Sequence, residues 1–354
     1  MIYFIQPAVP KYRVPFFNEL SRNDKMPEFQ VYTSSRDFAG VNTAVENIEF
    51  DLKIRGFFKK LGGIYIHKEL NFPKLNKKDI LVISGNPRVI NIMYLFFICK
   101  LKGIKVVWWG QGWTAGRRGL MSKIRHQLMK LSDLVILYTD KELGIFSDKI
   151  NVVALNNGLD ISEINNAKLK LGNIIKKENN LNLLYIGRLT EKSDLALLYQ
   201  ALCHVKRKII LHIIGDGELR NEIQKKFSQL PHEVIFYGAI YDEIDIAKVA
   251  LECHAFVYPG AVGLSLIHAF AYGIPAILHD NYDHHMPEIA AFNERFNGVT
   301  YKYNNILSFA KVLESVSIEE LNTFGANALK TVENSFNTHD MANRFTAAIL
   351  EIEQ

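Results

Sequence analysis

Cysteine is scarce in this chain of 354 residues: Cys99, Cys203 and Cys253 are few and widely separated. Three scattered thiols exclude a disulfide framework and a cysteine-rich metal cluster, and they fit a reducing, cytoplasmic compartment. Long apolar runs are also missing. The longest, Ile92 to Cys99, is far short of the roughly 20 residues that span a bilayer. The first residues, MIYFIQPAVPKYR, hold no basic stretch leading into a long apolar one, so no signal peptide is expected. Neither an internal repeat nor a low-complexity tail is visible, which argues against solenoids and arrays.

What is present is an ordinary globular composition, with 48% hydrophobic and 22% charged residues, unlike a disordered or collagen-like chain. The length exceeds what one core supports, so two domains of roughly 150–180 residues are expected. The net charge of +5 is unevenly shared. Residues 1–160 hold 24 Lys+Arg against 14 Asp+Glu, a net of +10, and the remainder holds 18 against 23, a net of −5. The basic half could meet an anionic membrane, nucleic acid or a phosphate-bearing substrate, or simply present a generic basic surface.

Short β-branched runs alternate with helix-period segments. Met1–Ile5, Phe29–Tyr32, Ile80–Ile83, Lys105–Trp109 and Leu134–Tyr138 read as strands, with helices at Val14–Ser21, Val89–Leu101 and Ser122–Leu131. The second half repeats the style, with strands at Val152–Ala154, Leu181–Ile186, Ile209–Ile214, Val234–Tyr237, Ala255–Val257 and Ala276–Leu278. Helices are read at Ser193–Val205, Gly217–Leu230, Ile244–Glu252 and Leu264–Tyr272. Strand–helix alternation predicts βαβ units and parallel sheets. The fold class is therefore α/β, with two doubly wound domains, 1–157 and 158–354, facing a cleft between them. Their junction is expected at the turn-forming Asn156-Asn157-Gly158-Leu159-Asp160. The final helix, Met341–Glu353, could pack on either domain.

Ligands of open parallel sheets sit at the carboxyl ends of strands, and the strand ends of the second half carry the strongest signals. Leu184–Ile186 runs into Gly187-Arg188-Leu189, then Thr190-Glu191-Lys192. An Arg fork and a mobile Lys there suit two phosphates, although a solvated loop has the same appearance. Gly215-Asp216-Gly217 ends the next strand and suits a close backbone approach. It lacks the third glycine of a dinucleotide fingerprint. Tyr237-Gly238-Ala239-Ile240 could offer backbone groups to a nucleobase or be a plain turn. In Gly260-Ala261-Val262-Gly263-Leu264-Ser265 a glycine loop opens a helix whose free N–H groups suit an anion. His268 follows in that helix. The His284-His285 pair near Asp280 and Asp283 matches no usual zinc spacing, so no metal is expected.

The ordered set Gly187-Arg188-Leu189 with Lys192, Ile214–Gly217, Gly263–Pro275, Pro287-Glu288 and Asn297-Gly298 resembles the retaining GT-B glycosyltransferases. Within them it looks most like family 4, in its bacterial polysaccharide-type members. Pro10–Phe17 is similar to the first strand-to-helix loop of such enzymes, and Asn157–Asp160 to their interdomain junction. The resemblance implies two Rossmann-like domains, with a UDP- or GDP-sugar donor in the second and a glycan or lipid-linked glycan acceptor in the first. It places the donor diphosphate on Arg188 and Lys192, the pyrophosphate and sugar on Gly260 through Ser265, and the base and ribose near Tyr237, Gly238 and Ile240. Gly187, Gly215 and Gly217 complete the donor loops. Tyr12, Arg13, Gly110 and Trp113 are assigned to the acceptor.

Two departures stand out. The family's Glu-x7-Glu pair falls on Gly260 and His268, and its reacting-site histidine on Gln111. The implied reaction is metal-independent sugar transfer with retention, as in surface polysaccharide synthesis, with Arg188, Lys192 and Gln111 in catalytic roles and no cofactor beyond the substrate. The acceptor would lie at the inner leaflet, so Lys59, Lys60, Lys77, Lys78, Arg117, Arg118 and Lys123 could meet anionic lipid. A sugar-nucleotide-binding pseudoenzyme and a nucleotide-sugar 2-epimerase are alternatives on the same fold. No recognition motif supports nucleic acid.

Overall fold

A computed structural model of the protein describes residues 1–112, 120–146, 150–172 and 180–353. The chain forms two compact units, residues 1–160 with 338–354, and residues 161–337.

Unit 1 runs β1 (Ile2–Ile5), α1 (Val14–Arg22), β2 (Phe29–Thr33), β3 (Asp51–Ile54), β4 (Phe57–Leu61), β5 (Ile64–Lys68), β6 (Ile80–Ser84), α2 (Ile90–Leu101), β7 (Lys105–Trp109), α3 (Leu120–Met129), β8 (Leu134–Leu137) and β9 (Val152–Ala154). Seven strands form one parallel sheet in the order β3-β2-β1-β6-β7-β8-β9. Its inner strands are apolar on both faces because helices cover both. β4 and β5 stand outside the sheet as an antiparallel hairpin turned at Gly62-Gly63. These two strands and β3 escape a reading based on apolar runs, because DLKI and FFKKL are half polar.

Unit 2 runs α4 (Ser162–Leu171), β10 (Leu181–Ile186), α5 (Leu195–Leu202), β11 (Ile209–Ile214), α6 (Arg220–Phe227), β12 (Glu233–Gly238), α7 (Glu243–Ala250), β13 (Ala255–Val257), α8 (Leu264–Ala271), β14 (Ala276–His279), β15 (Gly298–Tyr301), α9 (Ile306–Ser315) and α10 (Ile318–Ser335). Its six strands are all parallel, in the order β12-β11-β10-β13-β14-β15. The order reverses between β10 and β13. Parallel sheets hold ligands at such a switch point, outside the carboxyl ends of the strands. The loops after β10 and β13 are the Gly187–Lys192 and Tyr258–Gly263 segments.

The last helix, α11 (Thr338–Glu353), belongs to unit 1. Phe345 stacks on Phe4 with ring centroids 5.4 Å apart, and Arg344 pairs with Asp140 at 3.1 Å. The division falls at residues 160/161 and again at 337/338. β9 joins the first sheet, although as a fragment it reads like the opening strand of the second half.

Candidate active site

The turn after β10 is built on a buried aromatic post. The Tyr185 hydroxyl donates to the Arg188 carbonyl at 3.1 Å, and its ring stacks on Tyr258 at 5.1 Å. Burial pushes the Tyr185 phenol far above its ordinary range, so it stays protonated and remains a donor. Thr190 and Ser193 then form a reciprocal cap around the short turn Glu191–Ser193. Ser193 faces inward, while Arg188 and Lys192 are exposed. Among the described residues neither cation has an acidic partner.

Glycines hold this turn from both sides. A Cβ on Gly215 would overlap the Gly187 carbonyl, one on Gly217 the Leu189 carbonyl, and one on Gly260 the Lys192 carbonyl. Gly215 also has φ +146°, outside the range of ordinary L residues. Its N–H donates to the Gly238 carbonyl at 2.7 Å, and the Gly187 N–H to Ile214 at 3.1 Å. The ends of β10, β11 and β12 are thus laced together. Gly260 is bare because the Lys192 backbone occupies the space of its side chain. A glutamate at this position has no room on this backbone.

The loop into α8 is held differently. The Val262 N–H donates to His285 Nδ1 at 3.2 Å, and the Val262 carbonyl accepts from the Met286 N–H at 2.9 Å. His285 Nε2 in turn donates to the His279 carbonyl at 3.1 Å. Its two nitrogens therefore have fixed roles, and burial lowers its pKa to about 4. His285 is a pillar of the loop, and no group of three or more His, Cys, Asp or Glu side chains among the described residues is placed to hold a metal. The Val262 N–H is used up. Among the described residues those of Gly263, Leu264 and Ser265, at the start of α8, meet no acceptor, which suits them to an anion. The buried Glu288 lies beside them, its Oε2 3.7 Å from where a Cβ on Gly263 would stand. Ala261 is half-buried in the same loop.

His268 meets a carboxylate that its own helix lacks. Its Nε2 stands 2.7 Å from Glu243 Oε1, which also accepts from the Tyr272 hydroxyl. Glu243 opens α7, directly after the N-cap Asp242. Sequence reading missed it because the two residues are 25 positions apart. Tyr237 is partly committed, its hydroxyl 2.9 Å from His212 Nδ1. The backbone of Ala239-Ile240 remains open beyond the end of β12.

In unit 1 the sequence-assigned residues fall at the ends of β1 and β7. Tyr12 is exposed, whereas Arg13 turns inward. The Arg13 guanidinium donates to Asn157 Oδ1 at 2.7 Å and lies 5.2 Å from the Trp109 ring centroid. It positions the Asn157 turn rather than reaching into solvent. Gln111 is half-buried in a firmly held loop. The Gly110 N–H donates to Ile136 at 2.9 Å, and the Gly112 N–H to Glu142 Oε1 at 2.6 Å. Glu142, fully buried, also accepts from the N–H groups of Tyr138 and Thr139. This carboxylate carried no sequence signal. Trp113 lies outside the described residues, as do Arg117 and Arg118.

Residues 170–331 match the family model of glycosyl transferases group 1. No curated protein matches the chain. Solved structures similar over 99% of it include the following three. One is a lipopolysaccharide outer core galactosyltransferase, WaaB, in its apo form, with TM-score 0.70, 17% identity and 99% of that chain covered. Another is HepE (Alr3699) of Anabaena in complex with UDP and glucose, with TM-score 0.65, 12% identity and 99% covered. The third is the sucrose-phosphate synthase of Thermosynechococcus elongatus, with TM-score 0.68, 14% identity and 98% covered. The chain thus has the GT-B fold of glycosyltransferases, and its match to glycosyl transferases group 1 lies in the unit that bears the cationic turn and the glycine loop.

Proposed function

We propose that the protein transfers a sugar from a nucleoside diphosphate sugar to a glycan or lipid-linked glycan acceptor, with retention at the anomeric carbon. One observation carries this reading. Arg188 and Lys192 face solvent with no acidic partner among the described residues, on a turn clamped by glycines at the switch point of unit 2. The free N–H groups at the start of α8 belong to the other loop of that switch point. A diphosphate is the ligand that two cations and a helix start suit together. The family match over this unit and the UDP named with HepE support a nucleotide sugar.

In the proposed reaction the bond between the anomeric carbon and the diphosphate oxygen breaks. The acceptor oxygen bonds to that carbon from the same face, and its proton passes to the departing diphosphate. Arg188, Lys192 and the α8 N–H groups stabilise the charge that develops on the leaving group. No side-chain nucleophile takes part. Glu243, through His268, and Glu288 bring carboxylates to α8 that the helix itself lacks. The acceptor is assigned to unit 1, and the setting to bacterial surface polysaccharide synthesis.

The test is release of nucleoside diphosphate from UDP- and GDP-sugars in the presence of glycan acceptors. Arg188→Ala should raise the barrier by about 2–4 kcal/mol, as loss of an oxyanion donor does, with the fold intact by circular dichroism. Wild-type rates in that variant would overturn the diphosphate assignment. Donor binding without any release would favour a binding protein instead.

A further inference from the structure

We propose that α2 and the outward face of the β4–β5 hairpin dock the protein onto an anionic lipid bilayer. α2 is apolar on two opposite sides. Ile92, Met93, Phe96 and Cys99 are buried in unit 1, as any helix over a sheet requires. Ile90, Tyr94, Phe97 and Leu101 are exposed, Tyr94 by 67% and Leu101 by 87%. Their spacing of four, three and four places them in one stripe. A globular helix normally gives that stripe to polar residues. The only charged side chain within α2, Lys100, is paired with Asp133 at 2.7 Å.

The hairpin repeats the pattern. The cross-strand pairs Phe57–Lys68, Lys59–Ile66 and Leu61–Ile64 share one face. Phe57, Leu61 and Ile64 on this face are exposed, with Lys59 and Lys68 set between them. The opposite face is structural, since Phe58 stacks on His67 and Tyr65 on Phe38. α2 and the hairpin are fastened together. Asn91 Oδ1 accepts from the His67 N–H at 3.0 Å, and Asn91 Nδ2 donates to the His67 carbonyl at 2.8 Å.

Charge selects the occupant. Residues 55–105 hold eleven Lys+Arg against two Asp+Glu, so nine of the ten net charges of residues 1–160 lie in this one segment. Exposed apolar and aromatic side chains set in a basic field suit an interfacial element on anionic lipid, where lysine stems lie along the apolar surface and the ammonium groups meet headgroups. α2 has 12 residues, a length of about 18 Å. Among the described residues no helix is long and apolar enough to cross a membrane. Contact in the plane of the surface is what remains.

The test is flotation of the full chain with vesicles of phosphatidylcholine alone and of phosphatidylcholine with phosphatidylglycerol, without nucleotide or acceptor. Failure here therefore leaves the transfer reading untouched, and failure of transfer leaves this one. Wild type should partition about tenfold more strongly to the anionic vesicles and lose that preference in high salt. Tyr94→Ser with Phe97→Ser, and separately Lys59→Glu with Lys68→Glu, should each reduce partitioning about tenfold at unchanged Tm. Equal partitioning of wild type to both vesicles, or unchanged binding by both variants, would overturn the proposal. So would light scattering that shows a dimer which Tyr94→Ser with Phe97→Ser dissociates, because the face would then be an interface between copies.

Discussion

Unit 2 is the acidic unit, with 17 Lys+Arg against 20 Asp+Glu, yet it carries the candidate diphosphate site. Unit 1 has 25 against 17, a net of +8, and residues 55–105 alone have a net of +9, so the rest of the unit is close to neutral. The difference shows that net charge and anion binding live on different length scales. A diphosphate responds to two cations and a few N–H groups held within angstroms of it, where geometry dominates. A bilayer responds to the summed field of many mobile lysines. Backbone rigidity matters in the first case and surface composition in the second.

The comparison is open to attack from several sides. The largest effect is expected from Gly260→Glu, which rebuilds the family's carboxylate in sequence. Because the Lys192 carbonyl occupies the space of the Cβ, this variant should lose more than about 3 kcal/mol of stability, within the range of severe backbone clashes. A Tm equal to wild type would show that the turn is not clamped. Arg188→Ala comes next, with its loss of turnover and a native Tm. Removal of UDP-dependent thermal stabilisation in the same variant would place its effect on binding as well.

Acid should distinguish the units. The folded pKa of His285 lies at about 4, below its ordinary value of 6.5, so the unfolded chain binds this proton more readily. Its contribution to stability is complete above pH 6.5 and falls by about 1.4 kcal/mol per pH unit down to about 4. His279 is shifted in the same direction by burial and by His285. Unfolding of unit 2, followed by hydrogen exchange of its own amides, should therefore become easier between pH 6.5 and 4. An opening free energy, after allowance for the slower intrinsic exchange in acid, that stays unchanged over that range would remove the His285 pillar.

A smaller effect is expected in unit 1. Glu142→Gln keeps the shape but replaces one acceptor oxygen with a donor facing backbone N–H groups, at a cost of about 1–3 kcal/mol. Urea unfolding measures it. The smallest effect belongs to the α2 stripe, where Tyr94→Ser with Phe97→Ser should change stability by no more than about 0.5 kcal/mol per site. A large drop in Tm would mean that the stripe is packed within the protein.

Parts of this were legible beforehand. The strands of both sheets with full apolar runs, from Ile80–Ser84 to Leu181–Ile186, announce themselves because both faces are buried. The hairpin does not, since one of its faces is lysine-rich and the other packs with aromatics from elsewhere. β15 and helices α9 and α10 also went unread. Among site residues, Arg188 and Lys192 could be named from their place at a strand end. Glu243, Glu142 and His285 could not, because each acts on a partner far along the chain.

The amino-acid sequence by itself determined the α/β plan, the uneven charge and the order of glycine loops, because periodicity and composition are local properties. Tertiary structure decided which glycines were clamps, which cations stayed free and which apolar residues stayed outside. It also drew the last helix into unit 1. Those outcomes depend on what stands opposite each residue after folding: the Lys192 carbonyl against Gly260, the Val262 N–H against His285, and solvent over much of the Tyr94–Leu101 stripe.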